Sequence, residues 1–408
     1  MTASAASPVL QRLGDVRSWQ EDFYRDLHAH PELSHQETRT AAKVADRLRA
    51  AQWEVHAGVG GTGVVAIVRN GEGSAVLLRA DMDALPVREA SGLPYASRVT
   101  AIGPEDTEVP VMHACGHDVH VTCLLGAVEL LAGATADWQG TLVAVFQPAE
   151  EAGDGARAMV DDGLADLVPA PTVALAQHVM PLPAGRVGTR PGPALSAADS
   201  MRITVYGRGA HGSMPQASID PVVLAAMIVV RLQTVISRET DPGEPAVLTV
   251  GSVQAGTRSN VIPDHATILL NVRTYNDGTR SAILDAIERI VTAECTASRS
   301  PRPPELELFD RFPITDNDPA VTERVAAAFA GHFGDDAGPL PLQTASEDFS
   351  DLPRVLGAPY SYWASAEPTD PSTSRHEPRD ASPKTSPSTT PLTSPRCFSP
   401  PWIPGPRH

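Results

Sequence analysis

Cysteine is scarce in this chain. The four present in 408 residues, Cys115, Cys123, Cys295 and Cys397, are too scattered for the dense framework of a disulfide-stapled secreted domain, and a reducing cytoplasm fits them best. Positive charge is short as well: 32 Lys and Arg against 49 Asp and Glu leave a formal net charge of -17. That balance argues against a nucleic-acid groove and an anionic membrane surface, both of which need clustered cations, and leaves a small molecule as the expected partner. Long apolar runs are missing. The longest, Val222 to Val230, stops at Arg231 and falls far short of the roughly 20 residues that span a bilayer. Met1 to Pro8 carries no basic start followed by an apolar stretch, so no export signal is expected, and the protein is expected to be soluble and cytoplasmic.

What is present points to a large α/β protein. The length exceeds the usual single core, which makes two domains the default. Val9 to Leu27 and Thr38 to Ala51 carry apolar residues at helical spacing, and Val121 to Leu131 and Ala156 to Val160 read as further helices. Val64 to Val68, Ala75 to Leu78, Leu142 to Phe146 and Val173 to Ala176 read as buried strands. Their alternation predicts a mixed-sheet catalytic domain covered by helices on both faces, with ligands beyond the carboxyl ends of the strands. After a Gly- and Pro-rich linker at Gly185 to Pro193, a strand, helix, strand, strand, helix order with a last strand near Leu306 to Leu308 predicts an inserted ferredoxin-like α+β domain. The expected division is 1–190 and 310–363 for the catalytic α/β domain, 191–309 for the insert, and 364–408 for a Pro/Ser/Thr-rich tail that cannot bury enough apolar surface to order itself.

The chemistry concentrates at strand ends. Val111 to His120 packs a thiol, a carboxylate and three imidazoles into ten residues, and Cys115 and His117, two apart on a loop or strand end, can face one ion together. Gln147-Pro148-Ala149-Glu150-Glu151 ends a strand with adjacent carboxylates that point opposite ways when extended, so one can bind metal while its neighbour works on water. Asp81 and Asp83 follow another strand, where Asp83 can orient a ligand imidazole, and His178 ends a third. Each piece also has an ordinary explanation as a capped turn, a solvated loop or a satisfied core histidine. A second chemical reading makes Cys115 a nucleophile with His117 as its base, but two positions apart is awkward for that geometry and leaves the paired glutamates without work.

Taken together and in order, the motifs resemble the dinuclear-metal amidohydrolases that include hippurate hydrolase, N-acyl-amino-acid amidohydrolases and indole-acetyl-amino-acid hydrolases. The resemblance runs from about Leu10 to Trp363. It takes in Arg-Ala-Asp-Met-Asp-Ala-Leu-Pro at 79–86, His-Ala-Cys-Gly-His-Asp at 113–118, Gln-Pro-Ala-Glu-Glu at 147–151, Gly-Ala-His-Gly-Ser-Met-Pro at 209–215, Asn-Val-Ile-Pro-Asp at 260–264 and Ser-Glu-Asp-Phe-Ser at 346–350. It implies Cys115 as a thiolate bridging two divalent ions, with His117, Glu151 and His178 as further ligands. It implies Glu150 as general base, Asp83 as the supporting carboxylate, and His211 as the group that stabilises the oxyanion, supplied in such dimers by the partner protomer. Asn260 and Arg273 are the candidates for gripping a substrate carboxylate. The insert is then both lid and dimerisation surface, the substrate an N-acyl amino acid or a related small peptide-like molecule, and the metal zinc or manganese first, cobalt or nickel next.

The chain departs from that pattern at its end. The resemblance implies one more ligand histidine near the C-terminus, in a His-x-Pro context, and a final helix packed on the sheet. Here the only imidazoles after Trp363 are His376, in Ser-Arg-His-Glu-Pro, and His408. The second ion would then have at most three protein ligands and a weakened site, and the sheet would lose apolar cover at roughly 25 cal/mol per Å². The alternative function is a dimeric binding or scaffold relative with impaired catalysis. The sudden change of composition is the basis for a hypothesis that the tail is translated from a shifted reading frame. Peptide mass mapping of the protein from its native source is expected to find a Leu- and Ala-rich C-terminus instead, and peptides of the tail itself would sink the idea.

Overall fold

The computed structural model describes residues 8–103 and 105–366; the tail from residue 367, with His376, Cys397 and His408, lies outside the described residues. Eight strands form the larger sheet, in the spatial order Glu54–Val59, Gly63–Asn70, Gly140–Gln147, Ala75–Asp81, Val173–Met180, Tyr360–Ala366, Val187–Thr189 and Ala337–Pro339. Four neighbours at its centre, Gly140–Gln147, Ala75–Asp81, Val173–Met180 and Tyr360–Ala366, run parallel, while the first two strands pair antiparallel, so the sheet is mixed. Continuous runs such as Val64 to Ile67 and Leu142 to Phe146 suit this position because both of their faces are buried. Helices Leu13–Ala29, Thr38–Ala50 and His117–Ala132 cover one face through Leu27, Val44, Leu48, Val121 and Leu125. The other face is closed by Met159, Leu164, Phe349 and Leu352.

The second sheet is antiparallel, in the order Ala246–Gln254, His265–Thr274, Ala197–Tyr206 and Glu305–Phe312. With helices Pro221–Thr234 and Asp277–Ala297 on one side it is the ferredoxin-like α+β unit that the element order called for, and its core is separate: Ile203, Val205, Ile268, Leu224, Ile228, Ile287 and Val291 pack together. The two chain crossings into it, Gly192–Leu195 and Thr315–Asn317, pair with each other. Regular structure extends past the expected limits at two points, because the last strand of the insert continues to Phe312 and Tyr360–Ala366 continues beyond Trp363.

The helix after the His-rich motif begins at His117, not Val121, because Gly116 takes a left-handed φ of 78° and starts the first turn there. Helix Pro221–Thr234 follows the helical pattern of its sequence: Arg231, which reaches Glu294 at 3.5 Å, sits within it, and the helix runs on into a π turn at Val235–Glu239. By length and composition alone those 19 residues, mean hydropathy 1.5, could cross a bilayer, yet Leu224, Ala225, Ile228 and Leu232 are packed into the core of the insert. Cys123, on helix His117–Ala132, is exposed. On strands Ala75–Asp81 and Val173–Met180, Val76, Leu78, Val173 and Leu175 are only half-buried.

One buried ion pair fixes the insert internally. Asp199, 1% exposed, accepts two 2.7 Å hydrogen bonds from the Arg280 guanidinium and a third from Arg311 at 3.2 Å. Removing one member of such a pair leaves an uncompensated charge, so Asp199→Ala is expected to cost about 3 kcal/mol. Urea unfolding measures it, and a midpoint equal to that of the parent protein would show that solvent reaches Arg280 after all.

Candidate metal centre

The parallel strands deliver the expected side chains to one rim. Ala75–Asp81 ends in Asp81 and leads to Asp83, Gly140–Gln147 leads through Pro148 and Ala149 to Glu150 and Glu151, and Val173–Met180 carries His178 near its end. Gly116 is the pivot that adds Cys115 and His117. A Cβ built on it would sit 2.3 Å from a methyl of Val179, so only glycine permits both the left-handed turn and the approach of this loop to the His178 strand.

Donor atoms of Cys115, His117 and His178 lie within 4.8 Å of one another, as do those of His117, Glu150 and Glu151. The Cys115 thiol also hydrogen-bonds Glu151. Asp83 accepts from His117 Nδ1 at 3.2 Å, and its other oxygen accepts from the Ser34 hydroxyl at 2.7 Å and the Glu151 amide at 2.9 Å. That fixes the His117 ring with Nε2 facing the cluster. His178 Nδ1 donates to the Val179 carbonyl at 2.5 Å, which likewise leaves Nε2 as the free donor atom.

Two observations test whether a cation fits. The His117 Nε2 and Glu151 Oε1 atoms are buried and have no hydrogen-bond partner, an expensive state unless something binds both. The electrostatics agree. Burial alone would push the His117 imidazole down, but Asp81, Asp83 and Glu151 outweigh it and hold its pKa up to about 10. Burial, with His120 beside it, pushes His178 down to about 4, which keeps it a neutral ligand. Burial lifts Glu151 to about 7 against the pull of His117, and burial with Glu347 and Glu151 holds Glu150 well above the usual range. The pocket is short of positive charge, and thiol, imidazole and carboxylate donors suit a divalent ion such as zinc.

The three lid candidates are placed differently. His211 and Asn260 come together: Ala210–His211 pairs with Val261–Ile262, and the Asn260 carbonyl accepts from the Gly212 amide at 2.8 Å. His211 is exposed, and its ring bonds only within the insert, to Ser213 at 2.7 Å. Arg273 is instead drawn to the catalytic domain, where one guanidinium nitrogen donates to the Thr344 carbonyl at 2.8 Å and the Ser346 hydroxyl at 2.9 Å. It ties the insert to the Ser346–Ser350 motif, so part of its fork is committed to the protein itself.

Sequence reasoning missed the group beneath the rim. Arg79, with its side chain fully buried, donates to Asp81 at 2.6 Å, Gln147 at 2.8 Å and Glu347 at 2.8 Å, and lies 3.3 Å from Asp348. The visible signal was a guanidinium inside an apolar strand, which demands buried anions nearby. His28 is buried between Asp118 at 2.7 Å and Glu89 at 3.2 Å.

The profile of Peptidase family M20/M25/M40 matches residues 77–379. Hippurate hydrolase of Campylobacter jejuni is 36% identical over 355 residues, covering 85% of this chain and 88% of that one. N-acetyl-L-cysteine deacetylase of Bacillus subtilis is 37% identical over 328 residues, covering 80% and 75%. Among solved structures, a dinuclear metal-binding peptidase of the M20 family from Bacillus subtilis superposes with a TM-score of 0.71 at 30% identity, covering 86% of this chain and 89% of that one. These relatives are enzymes by name and lend no support to a non-catalytic scaffold. The matched profile, the likeness along most of both chains and the shared two-unit architecture lead to one statement: this chain is a hydrolase belonging to peptidase family M20/M25/M40.

Proposed function

We propose that the protein is a metal-dependent amidohydrolase that cleaves the amide bond of N-acyl amino acids. The observation that carries this reading is the convergence of Cys115, His117, His178 and Glu151 around two buried, unpartnered donor atoms, with Glu150 beside them. Cys115 would be shared between two ions, with zinc or manganese the first candidates. A bound divalent ion supplies Lewis acidity, lowering the pKa of water and polarising a carbonyl. Glu150 takes the proton from water and returns it to the leaving amine, a role suited to a carboxyl whose pKa burial has raised. Asp83 keeps His117 in its ligating orientation. The names of the relatives, a hippurate hydrolase and an N-acetyl-cysteine deacetylase, support the substrate class.

In a screen of N-acetyl, N-benzoyl and indole-acetyl amino acids, hydrolysis is expected to vanish with a chelator and return with zinc or manganese. Glu150→Gln is expected to lower kcat by roughly 1,000-fold with bound metal retained. Full activity in metal-stripped protein that alkylation of Cys115 then abolishes would replace this reading with a cysteine nucleophile.

The same reading includes a homodimer through the insert, with His211 stabilising the oxyanion in the partner's site. Support comes from the exposed stripe Val222, Val223, Met227 and Val230 on the apolar helix, and from Val247 and Val253 on the edge strand Ala246–Gln254. In trans supply makes complementation possible. Glu150→Gln and His211→Ala protein, each inactive, are expected to regain about a quarter of the parent activity when dissociated and remixed, because half of the dimers then hold one intact site. No regain on remixing would show that His211 does not serve a neighbouring subunit.

A further inference from the structure

His120 lies within a ring contact of the metal centre and is fully buried, yet its surroundings give it a different task. It sits in the first turn of helix His117–Ala132, three residues after His117, so the two imidazoles share a face, with ring centroids 5.4 Å apart. Its Nε2 lies 2.8 Å from the Val179 amide. A backbone N–H can only donate, so this nitrogen carries no proton and its lone pair is already used. The single ring proton is therefore on Nδ1, which points at Asp81 Oδ1 at 2.5 Å. Asp81 is itself held by Arg79 through its other oxygen. Both nitrogens of His120 are thus engaged, and although Asp81, His117 and His120 come within ligating distance of one another, His120 has no donor atom left for an ion.

The peptide it grips is the one that follows His178. The same residue, Val179, gives its N–H to His120 and takes the Nδ1 proton of His178 on its carbonyl. Resting on the metal-site reading above, we infer that His120 is a positioning residue for His178: the relay Arg79, Asp81, His120, Val179 holds the strand end so that His178 presents Nε2 to the ion. A ligating histidine is commonly oriented by a carboxylate or carbonyl on its own ring. Here a second imidazole orients the carbonyl-bearing residue one step further out, and the carboxylate acts on that imidazole.

The test uses the full chain with two variants and two readouts. In metal-free protein carrying 15N-labelled histidine, one neutral imidazole is expected to be protonated on Nδ1, with its signals lost in His120→Gln; protonation on Nε2 would overturn the inference. Metal affinity is read by competition with a chromogenic chelator. His120→Phe removes the acceptor and is expected to weaken affinity roughly 10- to 100-fold, whereas His120→Gln offers an amide oxygen to Val179 and is expected to stay within about threefold. Equal loss in both variants, or none in the Phe variant, would overturn it. Should the Phe variant fail to fold, the ring signals and the Gln variant decide alone. Parent protein that binds no metal would instead sink the proposed function.

Discussion

A single buried guanidinium holds the rim together. Arg79 rises from the middle of an apolar strand, and burial alone would lower its pKa; Asp81, Glu347 and Asp348 outweigh that and keep it charged. Its fork joins Asp81 on its own strand to two pieces of chain that are remote in sequence, Gln147 at the end of the neighbouring strand and Glu347 from the segment after the insert. Tyr362 donates to Glu347 at 2.5 Å, and Gln147 reaches Asp348 at 2.6 Å, so the anions are also tied to one another and to the strand Tyr360–Ala366. A charge this deep is tolerable only when every partner is in place. The return of the chain from the insert is therefore tied to the geometry of the rim.

The same network leaves an imbalance that defines the site. Asp81, Asp83, Glu150, Glu347 and Asp348 are buried and Glu151 nearly so, against one guanidinium. Without an ion, the surrounding carboxylates hold the His117 pKa up to about 10, and burial with Glu347 and Glu151 raises that of Glu150. Divalent ions would answer the same deficit and would at once satisfy His117 Nε2 and Glu151 Oε1.

The insert contributes by standing apart. Its core shares no residue with the large sheet, and it has its own buried ion pair at Asp199. It touches the catalytic unit through Arg273 and through the hydrogen bond from the Tyr275 hydroxyl to the Gln343 carbonyl at 2.8 Å, close to the segment that carries Glu347. The loop bearing His211 and Asn260 is left exposed on the insert, where a second body can meet it.

Much of this was legible in the residues. Continuous apolar runs ended by Asp, Glu-Glu and His announced buried parallel strands with polar groups at their carboxyl ends, because burial on both faces leaves chemistry nowhere else to go. The order of strands and helices after Gly185 announced the ferredoxin-like unit, since short segments of alternating period have few ways to pair. The resemblance implied Cys115, His117, Glu151 and His178 as a donor set, and the structure brings these side chains close together. The sequence did not reveal the pairing of Arg79 with Glu347, of His120 with Asp81 or of His28 with Asp118, because these join residues 268, 39 and 90 positions apart, and spacing along a chain carries no information about such contacts. Nor did it place the start of the helix at His117, which depends on Gly116 turning left-handed against Val179. Residue types determined which atoms can bind an ion; only the packing of distant strands decided which of them keep a free lone pair, because a lone pair is free only when no neighbour donates to it.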